Sequence, residues 1–162
     1  MNKNLEEIFG KYRQKGIFID TNLLVLYIVG TINPAFIKRF NRGKKDFDEN
    51  DFILISKFID SFETKITSPQ ILSEVSNFLD EKTDFCIGLK KYIELSEERY
   101  IKSEDLAKSH CFLKFGLADS SIVEVSKDAY LIFTDERPLF GYLVNEGIDA
   151  INFEWLKSES SF

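Results

Sequence analysis

Cysteine and histidine, the residues that form disulfides and zinc sites, are scarce in this sequence of 162 residues. It has two cysteines, Cys86 and Cys111, and one histidine, His110. A structural zinc site needs about four such ligands at close spacing, and a disulfide framework needs several cysteine pairs. The sequence therefore argues against both, and the two cysteines are expected to be small core residues in helices.

Proline, glycine and long apolar runs are also sparse. With three prolines, eight glycines, no low-complexity tract and no internal repeat, the sequence predicts one continuous domain over residues 1–162. The longest apolar run, residues 23–29, is far shorter than the ~20 residues of a membrane-spanning helix. The first 15 residues lack the apolar core of a signal peptide. We therefore expect a soluble cytoplasmic protein with no membrane partner.

The sequence is rich in large apolar side chains and carries an excess of negative charge. Sixteen Phe, six Tyr and one Trp supply a substantial core, which excludes a disordered chain. The formal net charge of −6 argues against nucleic-acid binding by bulk positive charge. Binding through a local patch and a metal ion stays open.

Short apolar segments alternate with amphipathic ones along the chain. Strands are predicted at residues 17–19, 65–67, 130–133 and 148–151. Helices are predicted over residues 4–15, 52–62, 69–79, 85–96, 103–114, 118–127 and 138–146. Strands that are apolar on both faces are typical of a parallel sheet between helical layers. The sequence thus predicts an α/β protein, a three-layer α/β/α sandwich with a mainly parallel central sheet and an extra N-terminal helix in residues 1–15.

Two of the predicted strands lead into an aspartate. Asp20 directly follows residues 17–19, and Asp135 directly follows residues 131–134. In α/β sheets, sites form at the carboxyl ends of the strands, and the ends of paired strands lie ~4.8 Å apart. Two carboxylates that close repel each other unless one is protonated or a cation lies between them. The alternative is that each aspartate begins a turn or caps the helix that follows.

Two of the predicted helices contribute further acids. Glu74 lies at the margin of the apolar face of helix 69–79, and Asp119 shares a face with Ile122 and Val123 in the first turn of helix 118–127. A carboxylate on a buried face costs several kcal/mol unless it is paired or binds a metal. The alternatives are that Glu74 extends to water at the rim and that Asp119 is an anion stabilised by the helix N-terminus.

The four acids occur in four short segments: Phe18-Ile19-Asp20-Thr21-Asn22, Ser68-Pro69-Gln70-Ile71-Leu72-Ser73-Glu74-Val75, Leu117-Ala118-Asp119-Ser120-Ser121-Ile122-Val123 and Thr134-Asp135-Glu136-Arg137. In their order and on these element types, the segments resemble those of the PIN-domain ribonucleases. The best-known bacterial members of that family are the toxins of VapBC-type toxin–antitoxin pairs. The resemblance spans roughly residues 17–153 and therefore nearly the whole chain.

The resemblance implies an endoribonuclease that hydrolyses RNA phosphodiester bonds with the help of one or two Mg²⁺ or Mn²⁺ ions. The residues that match the catalytic and metal-binding acids are Asp20, Glu74, Asp119 and Asp135, and those that match the supporting polar residues are Asn22 and Thr134. Carboxylate oxygens suit these hard cations, and a single histidine offers no nitrogen-rich alternative. The resemblance also implies RNA as a partner and leaves open an antitoxin protein and a homodimer. The chain departs from the compact toxins in its N-terminal helix and in the long stretch between residues 30 and 51, which leaves the RNA target open.

A basic run lies in that long stretch. Five of the eight residues from 38 to 45 are basic: Lys38, Arg39, Arg42, Lys44 and Lys45. We interpret them as an RNA-binding loop that contacts phosphates, with Phe40 stacking on a base. The alternative is a solvated surface loop, since residues 46–51 are mostly acidic and largely cancel the charge.

Two other functions compete with the nuclease. Haloacid-dehalogenase-like phosphotransferases also place an aspartate after a first buried strand, but they need a second aspartate two positions on, where this chain has Asn22. The second competing function is that of a non-catalytic PIN-like module that binds RNA or protein. It would use an exposed aromatic patch, for which the candidates are Tyr27, Phe36, Phe40 and Phe47.

Overall fold

The centre of the molecule is a parallel β-sheet of five strands. A computed structural model describes residues 3–41, 46–79, 83–127 and 129–160. Within these ranges the strand order is β3-β2-β1-β4-β5, and every pairing is parallel. The strands are β1 (Ile17–Ile19), β2 (Lys65–Thr67), β3 (Ser96–Glu98), β4 (Leu131–Thr134) and β5 (Ala150–Asn152).

Helices flank this sheet and complete an α/β/α sandwich, which confirms the predicted fold class. They are α1 (Lys3–Tyr12), α2 (Thr21–Ile32), a 3-10 helix (Pro34–Phe40), α3 (Glu49–Asp60), α4 (Pro69–Phe78), α5 (Thr83–Leu95), α6 (Ser103–Leu106), α7 (Phe112–Ser126), α8 (Arg137–Asn145) and α9 (Phe153–Ser160). None of the helices in the described ranges is long and apolar enough to cross a membrane.

The central strands β1 and β4 are buried on both faces. All side chains of both strands are inaccessible to solvent, as their unbroken apolar runs predicted. Their register pairs Ile17 with Leu131 and Ile19 with Phe133. The backbone N–H of Asp20 then donates to the carbonyl of Phe133 at 2.9 Å. The two strands therefore end side by side, and the residues that follow them emerge at one edge of the sheet.

The four predicted strands are all present, with ends shifted by two residues or fewer, but β3 was not predicted. Residues 96–98 are polar and largely exposed at the sheet edge, so they lack the apolar run that identifies a buried strand. The helix predicted over residues 103–114 is also wrong as a single element. It divides into the short α6 and the start of α7, and α7 is itself interrupted at Gly116, whose φ of 80° and ψ of −166° are not helical.

Two expectations about apolar side chains need correction. Cys111 is buried as expected, but Cys86 is exposed on α5. The expected exposed aromatic patch is wrong as well, because Phe47 is only 9% exposed and packs against Phe153. The other three candidate rings are half-buried against the core: Tyr27, Phe36 and Phe40.

Candidate active site

Asp20 lies at the bottom of the candidate site, directly after β1. Its Oδ1 accepts the backbone N–H of Thr21 at 2.6 Å, so it caps α2, and its Oδ2 accepts the hydroxyl of Thr134. The residue is only 3% exposed. The helix-cap interpretation of this aspartate is therefore correct, and it does not exclude the other one, because the same carboxylate also faces the residues that follow β4.

Asp135 follows β4 and is 6% exposed. The side-chain amide of Asn22 donates to Asp135 Oδ1 at 3.5 Å and to Glu136 Oε1 at 3.1 Å. The Glu136 backbone N–H donates to the Thr134 hydroxyl at 2.9 Å. Asn22 and Thr134 thus hold the chain after β1 against the chain after β4.

Glu74 reaches the same edge from α4. This helix starts directly after β2, where the Ser68 hydroxyl accepts the N–H of Ile71 at 3.3 Å and Pro69 occupies the first turn. Because β2 pairs with β1, α4 begins beside the start of α2. The Thr21 hydroxyl donates to Glu74 Oε2, which ties the carboxylate to the residue after Asp20. Glu74 is partly exposed, so it lies at the rim of the site.

Asp119 comes from α7, and the interruption at Gly116 determines where it sits. The helix restarts after Gly116, which places Asp119 in the first turn of the second segment, as predicted. The Ser121 hydroxyl lies 2.7 Å from the Ser68 hydroxyl at the start of α4. This buried contact fixes the second segment of α7 against the elements that carry Glu74.

The carboxylates are close enough to perturb one another. Burial raises the pKa of Asp20 to about 8, and the charges of Asp119 and Asp135 add to the rise. The hydrogen bonds from Thr134 and from the Thr21 N–H lower the pKa but do not offset the burial. Asp20 is therefore a carboxylate held in a dry, negatively charged environment.

The pKa of Asp119 is raised for the same two reasons, burial and neighbouring negative charge. Burial raises its pKa to about 7, and the charges of Glu74, Glu136 and Asp135 contribute further. The four predicted acids thus lie in one electrostatic neighbourhood. Glu136 is a fifth acid that the prediction left out, since only its place next to Asp135 signalled it in the sequence.

Within the described residues, no lysine or arginine forms an ion pair with Asp20, Glu74 or Asp119. Clustered carboxylates without a counter-ion are costly to assemble, because each disfavours the ionised form of the others. The free-energy cost of clustering these carboxylates therefore arises at the carboxyl edge of the sheet.

The donor atoms suit a hard divalent cation, although the side chains are not yet arranged around one. Carboxylate, hydroxyl and amide oxygens are the ligands that Mg²⁺ and Mn²⁺ prefer. Across the described ranges, however, no three His, Cys, Asp or Glu side chains are already placed to hold a metal ion. The carboxylates instead accept hydrogen bonds from Thr21, Thr134 and Asn22, and an ion would have to compete with these.

The basic run is only partly described. Lys38 and Arg39 are exposed on the 3-10 helix, while three of the predicted RNA-binding residues lie outside the described ranges: Arg42, Lys44 and Lys45. Phe40 packs edge-on against Phe85 at 4.9 Å between ring centroids, so part of its half-buried ring is covered by the core, and base stacking by this ring stays a prediction. Asn41, which lies within this run, borders the same small cavity as Asn22.

Comparison of the chain with family models, with curated proteins and with solved structures finds no match. The resemblance to PIN-domain ribonucleases consequently depends on the residues discussed above. The fold and the carboxylate cluster together define the class of the protein. It is an α/β/α sandwich with an acidic site at the carboxyl edge of its sheet.

Proposed function

We propose that the chain is a Mg²⁺- or Mn²⁺-dependent endoribonuclease that hydrolyses RNA phosphodiester bonds at this acidic site. The observation that carries the proposal is the burial of Asp20 among like charges. A carboxylate with a pKa near 8 destabilises the fold at neutral pH, and structural needs alone do not explain its presence. Perturbed acids in a shared site are typical of a catalytic or ion-binding role.

The residues that would hold the cation are Asp20, Glu74, Asp119 and Asp135. A bound divalent ion would supply charge neutralisation for the scissile phosphate and would lower the pKa of water at the site. The carboxylates differ in access, because Asp20 and Asp135 are buried whereas Glu74 and Asp119 are partly exposed. We assign the buried pair to the floor of the site and the exposed pair to its mouth, where RNA would arrive.

Asn22 and Thr134 have positioning roles in this proposal. Thr134 donates to Asp20 and accepts from the Glu136 N–H, so it fixes the first acid relative to the segment that carries the last one. Asn22 donates to both acids of that segment. These contacts hold the acids of the two segments in fixed positions before any substrate binds.

The alternative phosphotransferase is disfavoured by the same contacts. The position two residues after the first aspartate is Asn22, and its amide is engaged with Asp135 and Glu136. It therefore supplies neither the acid nor the base that such an enzyme needs there. The main alternative function is a non-catalytic binding module. An assay of RNA cleavage distinguishes it from the proposed nuclease.

The test is to incubate the purified protein with total RNA in Mn²⁺, Mg²⁺ or EDTA and to map the cut ends. We expect cleavage with either cation, none in EDTA, and a loss of at least ~100-fold in the Asp119→Asn and Asp20→Asn variants. Asp105→Asn is the matched control, because this aspartate is exposed on α6 and its ion pair within the described residues is with Lys108 at 3.5 Å. Undiminished cation-dependent cleavage by both site variants would refute the assignment, as would folded wild-type protein that cleaves no RNA.

A toxin role makes a separate prediction. If RNA cleavage halts growth, expression of the wild-type chain arrests bacterial cells, and Asp119→Asn relieves the arrest. Purified protein that cleaves RNA but leaves growth unaffected would argue for a nuclease outside toxin–antitoxin pairs.

A further inference from the structure

A cleft of about 540 Å³ opens next to Glu74 and leads away from the acidic site. One wall is the polar face of α4, where Gln70, Ser73, Glu74 and Asn77 recur at intervals of three or four residues. Ala118, the neighbour of Asp119, lines the cleft as well. The cleft therefore includes one of the proposed catalytic acids, Glu74, and passes the residue next to Asp119, and its volume exceeds that of a nucleobase with its ribose.

Tyr100 is the aromatic residue in this cleft, and it is 69% exposed. Its backbone is nevertheless anchored on both sides. The Arg99 N–H donates to the carbonyl of Thr67 at 2.8 Å, and the Gln70 amide donates to the carbonyl of Ile101 at 3.3 Å. Because the backbone is already anchored, only the freedom of the side chain itself is lost when a ligand covers this exposed ring.

We propose that this cleft binds the nucleobase adjacent to the scissile phosphate of single-stranded RNA, with the ring of Tyr100 stacking on that base. The inference rests on the proposed function, because the base lies next to the scissile phosphate only if that phosphate binds at the acidic site beside the cleft. Ser73 and Asn77 are exposed on the α4 wall and supply hydroxyl and amide groups toward the edge of the base.

The chemistry of the cleft favours a base in an unpaired strand. Every nucleobase presents a flat π-face, so an aromatic platform holds it with little sequence preference. A paired base keeps its faces inside the duplex and cannot reach Tyr100 without being unstacked. Because the cleft is lined by neutral polar and apolar groups apart from Glu74, it matches a base better than a phosphate.

The experiment measures binding in EDTA, where no cleavage is expected, by fluorescence anisotropy of a labelled single-stranded RNA. A second oligonucleotide of equal length and charge carries abasic sites. Tyr100→Ala should raise the Kd for RNA at least about fivefold and leave the Kd for the abasic strand unchanged. Tyr100→Phe should keep the wild-type Kd because the ring is retained, whereas Tyr100→Leu should behave like Tyr100→Ala.

The control is Leu95→Ala, which removes an apolar side chain that is 80% exposed at the end of α5 and lies outside this cleft. Equal RNA affinity in wild type and Tyr100→Ala would overturn the inference, and so would an equal loss for the abasic strand. If wild type cleaves RNA but Tyr100→Ala binds normally, only the base site is refuted. If Tyr100→Ala loses base-dependent binding and wild type never cleaves, the base site stands and the nuclease proposal falls.

Discussion

Replacing Asp20 with asparagine should stabilise the metal-free protein. Asp20 is 3% exposed and its pKa is raised to about 8, against about 3.9 for an unperturbed aspartate. At neutral pH the folded protein therefore retains a proton on Asp20 that the unfolded chain has already released. The substitution removes the charge but keeps an oxygen that can accept the Thr21 N–H.

The magnitude follows from the linkage between protonation and folding. At pH 7 the raised pKa corresponds to a free-energy penalty on folding on the order of 4 kcal/mol. Part of this stabilisation is lost, because the one amide oxygen of asparagine can accept from the Thr21 N–H but the amide nitrogen that replaces Oδ2 cannot accept from the Thr134 hydroxyl. We expect a net gain of about 2 kcal/mol, or a rise in Tm of about 4–8 °C for a chain of this size.

The pH dependence has a definite sign. Since the folded pKa lies above the unfolded one, the wild type loses stability as the pH rises from about 4 to about 8, and the variant does not incur this loss. The advantage of Asp20→Asn should therefore be greater at pH 7.5 than at pH 5. The assay is urea and thermal unfolding in EDTA, followed by circular dichroism at both pH values.

Asp48→Asn is a matched control for this measurement. Asp48 also caps a helix, α3, but the N–H groups of Asp51 and Asn50 lower its pKa, the larger effect coming from Asp51. Its carboxylate thus favours folding above the unfolded pKa, and Asp48→Asn should give no gain at pH 7.5. A variant Asp20→Asn that is less stable than wild type at pH 7.5, or an advantage that does not change with pH, would refute the reasoning.

The remaining predictions concern glycines. Gly30→Ala on α2 should lower stability by about 1–3 kcal/mol, because a Cβ there would lie 2.2 Å from the ring of Phe52, whereas Gly10→Ala on α1 meets nothing within 4 Å and should raise stability by up to about 1 kcal/mol. Urea unfolding of the pair checks this, and a stabilised Gly30→Ala would contradict the packing argument. Gly116→Ala should cost about 1–3 kcal/mol through its φ of 80° alone and should reduce RNA cleavage by shifting Asp119. Full cleavage activity in a folded Gly116→Ala protein would show that the interruption of α7 does not position this acid.

Local sequence determined the parts of the fold whose cause is local. The short apolar runs at residues 17–19 and 130–133 are typical of strands buried on both faces, so they predicted a parallel sheet and placed Asp20 and Asp135 at strand ends. Ser68 and Pro69 likewise fixed the start of α4, because capping depends on neighbouring residues alone.

Tertiary structure decided everything that depends on which distant segments meet. The strand order brings the ends of β1 and β4 together, and the approach of α4 and α7 to that edge gives Glu74 a donor in Thr21 and raises the pKa of Asp119. Sequence did not reveal the exposed edge strand β3 or the core packing of Phe40. Amphipathic spacing fixes the face on which a side chain lies, but only the packing of helices against a sheet fixes what that face meets.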